Sequence, residues 1–465
     1  MPARDAFLYN AFLRRFPYEP TPCQDTLLRQ TAEFLSSDDG DILVVNGYAG
    51  TGKTTAVAAM VAALKELGIK SILLAPTGRS AKVLSQYAGH KASTIHKHIY
   101  RQKSLGNDGF GQFTLSFNKE RNALFVVDEV SLIGVGAESN FGSGNLLEDL
   151  ISFVRSGTDC RLLLLGDDAQ LPPVGLDASP ALSPACMENF GGVQFARLTT
   201  VVRQAAHSGI LQNATHLREL LPYQGQALGL RAAPDVERIT GAELLETLSD
   251  AYGRYGEDEV MVLCRSNKRA GRYNAGIRAS VLFHEERLVK GERLMIVKNH
   301  YLEGLEGTDY IANGDMAKLV WIRHFEERYG LQFADACLCF PDYNQQEVEM
   351  KVLLDTLEAD SPSLPYEQSQ ALYQGVQADY DHITNKRKRY EAVREDPFFN
   401  ALQIKYAHAI TCHKAQGGQW KCIFIDNPFW QDVLVEEDLK WLYTALTRAI
   451  EKVYLINFRE ECFSK

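Results

Sequence analysis

Residues 41–68, DILVVNGYAGTGKTTAVAAMVAALKELG, determine the fold class of this chain. The opening DILVVNG is an apolar run bounded by turn residues, which is typical of a strand covered on both faces. TTAVAAMVAALKELG has the length and composition of a helix and ends at Gly68. A second apolar run, KSILLAP at 70–76, follows directly. The pattern therefore predicts a strand, a helix and a parallel strand, which is the unit of an α/β lobe.

Apolar runs of the same kind recur in two groups. The first group is completed by NALFVVDE at 122–129, CRLLLLGD at 160–167 and VQFARL at 193–198. The second group contains VMVLCRS at 260–266, IKYAHAIT at 404–411, KCIFID at 421–426 and KVYLIN at 452–457. Because continuous apolar strands suit parallel sheets covered by helices, two α/β lobes are predicted.

Two insertions interrupt the lobes and set the predicted domain boundaries. We assign 1–96 and 122–197 to the first lobe, 97–121 to a small insertion, 198–290 and 400–465 to the second lobe, and 291–399 to a larger insertion. The larger insertion begins with alternating strands of a small barrel, with a turn at Asn313-Gly314. It continues into a charged, tyrosine-rich stretch that we expect to be helical. There KRKRY at 386–390 is a phosphate-contacting patch or a solvated helix face, and the pattern favours the second.

Composition restricts the class of protein without identifying it. The chain has 465 residues and a net charge of −10, which argues against a basic coating but leaves room for one basic groove. No apolar run reaches the ~20 residues of a membrane span, and the start lacks a secretory signal, so we expect a cytoplasmic protein. The nine cysteines form no CxxC pair, which favours reduced thiols over a metal site.

GYAGTGKTT at 47–55 matches a phosphate-binding loop in the required context, after a strand and at the start of a helix. Its glycines let backbone N–H groups approach phosphate oxygens, and Lys53 is expected to reach the β and γ oxygens. Thr54 is a predicted magnesium ligand. The predicted nucleotide contacts of this loop are Gly47, Ala49, Gly50, Thr51, Gly52, Lys53, Thr54 and Thr55.

Polar residues follow two other strands of the first lobe, at the edge where a nucleotide would lie. Asp128 and Glu129 end the run FVVDE, and we predict that Asp128 holds magnesium while Glu129 is the general base for water. Gln170 lies in LLLLGDDAQLPPVG, where an amide can sense the γ-phosphate or the attacking water.

Two arginines are candidates for a cation that reaches the γ-phosphate. Arg203 lies in LTTVVRQ, after the last strand of the first lobe, and Arg448 lies in LYTALTRA of the second lobe. Either arginine taken alone more often forms a surface ion pair, and only the neighbouring sequence favours the catalytic role.

The order of these motifs resembles superfamily-one helicases of the RecD-like and Dda-like branch. The matching motifs run from about Pro22 to Ala449: GYAGTGKTT, APTGRSAKVL, ASTIHKHI, VVDEVSLIG, LGDDAQLPPVG, LTTVVRQ, ITCHKAQGGQW and LYTALTRA. The resemblance implies two RecA-like lobes that close on ATP and magnesium while single-stranded DNA crosses both. It also implies 5′-to-3′ movement and a Src-homology-3-like barrel in the second insertion.

The resemblance assigns further residues. Gln24 is implied as the residue that reads adenine, and Gln416 and Gly417 as a link between the DNA-contacting segment and ATP. The implied DNA contacts are Pro76, Thr77, Thr94 and His96 in the first lobe and Thr411, His413 and Lys414 in the second. Such donors suit phosphate oxygens. Segment 97–121 occupies the place of a strand-splitting pin, where Phe110 or Phe113 would stack on the fork base pair or pack internally.

The sequence therefore predicts an ATP-dependent DNA helicase acting on single-stranded and forked DNA, working as a monomer. Two alternatives stay open. One is an RNA or RNA–DNA helicase, since backbone contacts do not exclude ribose. The other is a motor subunit that acts through repair or replication proteins, with 346–399 as the docking stretch.

Overall fold

The computed structural model describes residues 4–105, 111–134, 142–202, 207–223, 225, 227–305, 308–429 and 434–464. Among the described residues, no helix is long and apolar enough to cross a membrane. All nine cysteines are free thiols.

Lobe one is a six-stranded parallel sheet with helices on both faces. Its elements are α1 Arg4–Arg15, α2 Pro22–Phe34, β1 Ile42–Gly47, α3 Lys53–Glu66, β2 Lys70–Ala75, α4 Gly78–Ala88, β3 Ala92–Thr94, α5 Ile95–Ile99, β4 Tyr100–Leu105, β5 Gly111–Leu115, β6 Ala123–Val127, α6 Leu146–Arg155, β7 Arg161–Gly166, α7 Pro184–Met187 and β8 Val193–Leu198. The strand order is β3-β2-β6-β7-β1-β8. Two separate apolar clusters cover the two faces, which explains why β1, β6 and β7 read as continuous apolar runs.

The small insertion of lobe one is an antiparallel hairpin. Strands β4 and β5 pair from Tyr100 opposite Leu115 to Leu105 opposite Gly111. Phe113 is partly buried and packs against the apolar cluster of lobe one. Phe110 lies outside the described residues, so only Phe113 of the predicted pin pair can be located. The Phe113 side chain packs on lobe one.

Lobe two is a five-stranded parallel sheet. Its elements before the large insertion are α8 Gly209–Leu220, β9 Val236–Ile239, α9 Leu244–Tyr255, β10 Val260–Cys264 and α10 Asn267–Ser280. The insertion contains β11 Arg293–Ile296, β12 His300–Leu305, β13 Thr308–Ile311, β14 Met316–Arg328, β15 Leu331–Phe340, β16 Gln346–Leu353, α11 Tyr366–Asp379, α12 Lys386–Glu395 and β17 Leu402–Tyr406. The lobe resumes with β18 Ala409–Thr411, α13 Cys412–Ala415, β19 Trp420–Asp426, α14 Glu436–Leu446 and β20 Ala449–Ile456, in the order β18-β10-β19-β20-β9.

The large insertion is a closed barrel of β11, β14, β15, β16 and β17, with a helical pair packed on it. Helices α11 and α12 bury Leu372, Val376 and Val393 against Phe333 and Leu353 of the barrel. The predicted turn at Asn313-Gly314 joins β13 to β14, and Gly314 has a φ of +97°. The exposed first turn of α12 carries the basic run that begins at Lys386.

The structure differs from the expected organisation at the two ends of the helical stretch. Residues 346–353, expected to be helical, form barrel strand β16. The run 404–411, expected to be one strand of lobe two, divides at His408: β17 pairs antiparallel with β11 of the barrel, while β18 pairs parallel with β10 of lobe two. Because both halves are buried without a break, the sequence does not reveal the boundary.

Candidate nucleotide and nucleic-acid sites

The phosphate-binding loop lies between β1 and α3 and is shaped by its glycines. Gly50 and Gly52 have φ values of +73° and +78°, in the left-handed region that favours glycine. A Cβ at Gly47 would lie 2.7 Å from Lys53 Cγ, so glycine is needed for the lysine to fold across the loop. The loop ends at the first turn of α3, whose N–H groups have no partner within the helix. Those groups and the helix dipole make an anion-binding site.

Lys53 is held against the loop by oxygen atoms. Its Nζ donates to the carbonyl oxygens of Gly47 and, at 3.3 Å, Tyr48. The same ammonium lies 3.9 Å from Asp167 Oδ2. Burial raises the pKa of Asp167, while Lys53 and a hydrogen bond from Tyr443 lower it. The lysine is therefore positioned at the phosphate end of the site by an acidic partner from the neighbouring strand.

Asp128 and Glu129 lie directly after β6, as predicted. Burial, and then the neighbouring charge of Glu129, raise the pKa of Asp128 to about 6, while Lys53 opposes the shift. Asp128 Oδ1 accepts a hydrogen bond from the Glu129 N–H at 2.9 Å. Glu129 has a φ of +55°, which is uncommon for a residue with a side chain and is typical of functional sites. Two adjacent carboxylates suit the binding of a divalent cation.

The donor set fits magnesium. Among the residues that the structure describes, no group of three or more His, Cys, Asp or Glu side chains is arranged to hold a metal. Magnesium is usually held by one or two carboxylates, waters and the phosphates of the substrate rather than by a full protein cage. Asp128 and the partly exposed hydroxyl of Thr54 supply oxygen donors of the right kind. Bound there, the ion would neutralise phosphate charge.

The loop after β7 leaves lobe one and enters the core of lobe two. Ala169 and Leu171 belong to the apolar cluster of lobe two, and Leu171 is 1% exposed. Within this loop the Gln170 backbone N–H donates to the Asp167 carbonyl oxygen at 3.2 Å. Gln170 is buried, and its Oε1 has no hydrogen-bond partner within the described part of the chain. The predicted sensor residue is thus placed on a loop that both lobes contact.

Helix α14 of lobe two contacts this loop and the phosphate-binding loop together. Tyr443 Oη accepts a hydrogen bond from the Ala49 N–H at 2.9 Å and donates to Asp167 Oδ2 at 2.7 Å. Thr444 Oγ1 accepts from the Leu171 N–H at 2.8 Å. Each of these bonds crosses from one lobe to the other.

Helix α8 of lobe two flanks the phosphate-binding loop from another side. The Arg218 guanidinium lies 4.2 Å from the centre of the Tyr48 ring. A Cβ at Gly50 would lie 3.1 Å from the Leu211 side chain. The loop is therefore enclosed by two helices of lobe two.

The segment 411–420 of lobe two connects the two candidate sites. Gln416 Nε2 donates to the Leu171 carbonyl oxygen at 2.7 Å, on the loop after β7. A Cβ at Gly417 would lie 2.0 Å from Ser80 Oγ, so this glycine lies against α4 of lobe one. The Arg79 guanidinium stacks 4.1 Å from the centre of the Trp420 ring. The structure thus places Gln416 on the nucleotide side and Gly417 on the α4 side of one short segment.

The two predicted arginines cannot be treated alike. Arg203 lies outside the described residues. Arg448 is buried, and its guanidinium donates to the carbonyl oxygens of Thr444 at 3.1 Å and Gly418 at 3.4 Å and to Thr447 Oγ1 at 3.2 Å. These partners all belong to lobe two, so contact of Arg448 with a γ-phosphate stays a prediction.

Gln24 lies behind the phosphate-binding loop. Its Nε2 donates to the Thr51 carbonyl oxygen at 2.8 Å, and its Oε1 accepts from the Thr21 N–H at 2.9 Å. A Cβ at Gly52 would lie 2.4 Å from Gln24 Nε2. The side chain therefore braces the loop, and the predicted adenine contact stays untested.

The candidate DNA contacts of lobe one follow strands β2 and β3 at one edge of the sheet. Pro76 follows β2, and Thr77 caps α4 by accepting from the Ser80 N–H at 3.1 Å. Thr94 caps α5 by accepting from the Lys97 N–H at 3.3 Å. His96 is partly exposed, and its ring lies 5.7 Å from that of Tyr100.

Lobe two repeats the second of these arrangements. AITCHK at 409–414 matches ASTIHK at 92–97 in four of six positions, and each segment runs from an edge strand into a short helix. Thr411 and Thr94 have nearly identical backbone angles, −74°/150° and −73°/151°. Burial lowers the pKa of His413, and it lowers the pKa of Lys414 to about 8. Lys414 Nζ donates to Asn313 Oδ1 in the barrel.

The barrel also reaches lobe one. Lys82 Nζ of α4 donates to Asp342 Oδ1 at 2.7 Å and to the Pro341 carbonyl oxygen at 3.0 Å. A Cβ at Gly78 would lie 2.7 Å from Tyr343 Oη. The turn after β15 therefore contacts the helix that begins beside Thr77.

Sequence reasoning missed the residues that join the lobes: Asp167, Tyr443, Thr444 and Arg79. Asp167 lies in LGDDAQLPPVG, directly after a buried strand, and this position could have identified it as a site residue. Tyr443 and Thr444 precede Arg448 in LYTALTRA, but their role depends on how two separately folded lobes meet. Arg79 lies in APTGRS and carried no distinguishing pattern.

Family models match both lobes. A model described as an AAA domain matches residues 24–240, and one described as a UvrD-like helicase C-terminal domain matches residues 406–456. The crystal structure of Bacteroides Pif1 bound to ssDNA has the same fold, with a TM-score of 0.50, 15% sequence identity, and coverage of 96% of this chain and 94% of that one. The predicted fold class is confirmed: two RecA-like lobes with parallel sheets, a small pin-like insertion in lobe one, and a barrel plus helical insertion in lobe two.

Two curated relatives align with nearly the whole chain. The ATP-dependent RecD2 DNA helicase of Deinococcus radiodurans is 34% identical over 451 residues, which cover 94% of this chain and 50% of the relative. The ATP-dependent DNA helicase dda of Enterobacteria phage T4 is 23% identical over 453 residues, covering 89% of this chain and 94% of the relative. The chain thus spans half the length of the RecD2 protein.

Proposed function

The chain belongs to the RecD-like and Dda-like branch of superfamily-one helicases, and from this membership we propose that it is an ATP-dependent helicase on single-stranded DNA. Each cycle of ATP hydrolysis would advance the strand across both lobes and separate a duplex ahead of it. The proposed direction is 5′ to 3′, as the resemblance to this branch implies.

The observation that carries the proposal is that segment 411–420 holds candidate DNA contacts and also bonds the loop next to the nucleotide site. One end of the segment holds the candidate DNA residues Thr411, His413 and Lys414, and Gln416 bonds the loop after β7 at 2.7 Å. The same loop contains Asp167, 3.9 Å from Lys53. A change at the phosphates therefore has a short path of hydrogen bonds to the DNA-binding segment, which a kinase or a GTPase would not need.

The chemistry of hydrolysis is assigned to residues of both lobes. In this proposal Lys53 and the first turn of α3 bind the β- and γ-phosphates, and Thr54 and Asp128 hold magnesium. Glu129 accepts a proton from the attacking water, and Gln170 orients that water. Arg203 and Arg448 would stabilise the charge that develops on the γ-phosphate, and for Arg448 this requires its guanidinium to exchange lobe-two carbonyls for phosphate oxygens.

The proposed DNA contacts are directed at the backbone. Hydroxyl, imidazole and ammonium groups of the two matching segments, 92–97 and 409–414, suit phosphate oxygens and do not read bases. Two equivalent DNA-binding segments, one on each lobe, fit a motor that steps when the lobes move relative to each other. The net charge of −10 is compatible with this, because the contacts need only one groove.

Unwinding of matched forks that carry only a 5′ or only a 3′ single-stranded tail tests the proposal. We expect ATP-dependent unwinding of the 5′-tailed fork, and none with the Lys53→Ala variant. A matching fork with an RNA tail addresses the RNA-helicase alternative. If the purified chain hydrolyses ATP without stimulation by DNA and unwinds neither fork, the helicase proposal fails and a partner-dependent subunit becomes the better hypothesis.

We further propose that the protein acts in the cytoplasm as a monomer. Repair or replication proteins are candidate partners, and the α11–α12 pair on the barrel is the surface we would test for docking. Sedimentation of the isolated chain with and without oligothymidylate measures the oligomeric state directly.

A further inference from the structure

Tyr443 connects lobe two to the phosphate-binding loop by a side-chain hydrogen bond. It lies on α14, is 1% exposed, and bonds Ala49 and Asp167 of lobe one at once. The proposed hydrolytic mechanism gives it no role.

The partners of Tyr443 are chemically significant. Ala49 lies in the phosphate-binding loop, three residues before Gly52, where backbone N–H groups are available to phosphate oxygens. Asp167 is the acidic partner of Lys53, at 3.9 Å. One hydroxyl therefore connects lobe two to the loop backbone and to the carboxylate that faces the phosphate-binding lysine.

The two hydrogen bonds of Tyr443 depend on the relative position of the two lobes. Because both acceptor and donor partners belong to lobe one, any rotation of lobe two that carries α14 away breaks both hydrogen bonds. The neighbouring Thr444–Leu171 bond would break with them. In the open arrangement these groups would bond water instead, so the contact favours closure by the net contribution of its hydrogen bonds.

We propose that Tyr443 is a positioning residue that couples DNA binding to nucleotide binding, by fixing the phosphate-binding loop when the lobes close on a strand. This inference rests on the proposed function, since it requires that both ligands bind. The coupling is a ratio of affinities, and linkage makes it reciprocal: DNA and nucleotide must strengthen each other by the same factor.

A purely structural role for Tyr443 predicts that losing its hydroxyl lowers stability without a specific effect on coupling. Tyr273 forms a comparable bond, from its hydroxyl to Asp426 Oδ1 at 2.7 Å, but both residues belong to lobe two. Losing that hydroxyl would cost stability without touching the contact between the lobes. Tyr273→Phe is therefore a matched control for Tyr443→Phe.

The experiment measures nucleotide affinity with fluorescent N-methylanthraniloyl-ADP and Mg²⁺, with and without saturating oligothymidylate, using the full chain. The ratio of the two dissociation constants is the coupling factor. We expect Tyr443→Phe to lower this factor by about tenfold, because a hydrogen bond to a charged group contributes about that much or more to an equilibrium constant. Tyr273→Phe should leave the factor unchanged.

Reciprocity supplies an internal check. The affinity for fluorescein-labelled oligothymidylate, measured with and without ADP, should change by the same factor in Tyr443→Phe. Asp167→Asn, which weakens the acceptor of the same bond, should lower coupling too. The double variant Tyr443→Phe/Asp167→Asn should lower it no further than one of the single changes.

The outcomes separate this inference from the proposed function. Coupling in the wild-type chain that persists in both Tyr443→Phe and Asp167→Asn overturns the inference and leaves the helicase proposal standing. A loss of coupling of equal size in Tyr273→Phe also overturns it, because the effect would then be general. If the wild-type chain binds neither ADP nor oligothymidylate, the proposed function fails and the inference fails with it.

Discussion

Replacing Asp128 with asparagine should stabilise lobe one while abolishing its activity. In the structure, burial and the charge of Glu129 raise the pKa of Asp128 from 3.8 to about 6. Asparagine removes the charge but keeps an oxygen that can accept from the Glu129 N–H, which lies 2.9 Å from Asp128 Oδ1. The stabilisation should come at the expense of function because the carboxylate is the proposed magnesium ligand.

The magnitude follows from the two pKa values. Their difference, at about 1.4 kcal/mol per pKa unit, means that the ionised carboxylate destabilises the folded lobe by about 3 kcal/mol at pH 7.5. The penalty is complete above about pH 6, where Asp128 is ionised in both states. Between pH 6 and 3.8 the folded state holds a proton that the unfolded state has lost, so the penalty falls and disappears below about pH 3.8. About half of it remains at pH 5.

Calorimetric unfolding without Mg²⁺ or nucleotide provides the assay. For a domain of this size, about 3 kcal/mol corresponds to a rise of roughly 6–12 °C in the unfolding midpoint of lobe one at pH 7.5, and to about half of that at pH 5. Asp168→Asn is the control, since the exposed pair of Asp168 with Arg197 contributes about 1 kcal/mol or less. A lower midpoint for Asp128→Asn at pH 7.5, or an equal rise at both pH values, would refute the reasoning.

Three other substitutions address hydrolysis and the contact between the barrel and α4. Glu129→Gln should still retain ATP on a filter but hydrolyse it at a small fraction of the wild-type rate; a rate above one tenth of wild type, roughly, would exclude the general-base role. Arg448→Ala should bind ATP normally and turn it over ~10³-fold more slowly, and near-normal turnover would contradict a γ-phosphate contact. Lys82→Glu should speed dissociation from labelled oligothymidylate by about fivefold, since it replaces the 2.7 Å pair with Asp342 by a repulsion. The charge swap Lys82→Glu/Asp342→Lys should restore the wild-type dissociation rate. If the double variant dissociates as fast as Lys82→Glu, the contact between the barrel and α4 does not contribute to DNA binding.

The parts of the fold that depend on local sequence were predictable. The loop at 47–55 is defined by the spacing of glycine, lysine and threonine after an apolar strand, and the structure places it there. The positions of Asp128 and Gln170 after β6 and β7 followed from the same rule, because polar residues that follow parallel strands gather at one edge. The barrel was predictable from its alternating strands. The turn at Asn313-Gly314 was predictable because Asn-Gly is a typical turn pair.

Features that depend on how separate units meet were not predictable. Tyr443 lies in a helix whose residues 439–446 are all buried, and nothing in the sequence separates contact with Ala49 from packing in its own lobe. The division of 404–411 between barrel and lobe two escaped prediction because the run is buried without a break across both strands. Segments 92–97 and 409–414 share four of six residues, but only the backbone angles of Thr94 and Thr411 reveal their structural equivalence.

ATP turnover measured against oligothymidylates of increasing length tests the central claim most directly. A motor that moves along the strand spends less time rebinding on a longer track, so its turnover at saturating DNA should rise with length and then reach a plateau. We predict this rise for the wild-type chain and its absence for Lys53→Ala, which should not turn over ATP. Turnover that ignores single-stranded DNA, or that is the same for every length beyond the binding site, would contradict coupling of ATP hydrolysis to movement.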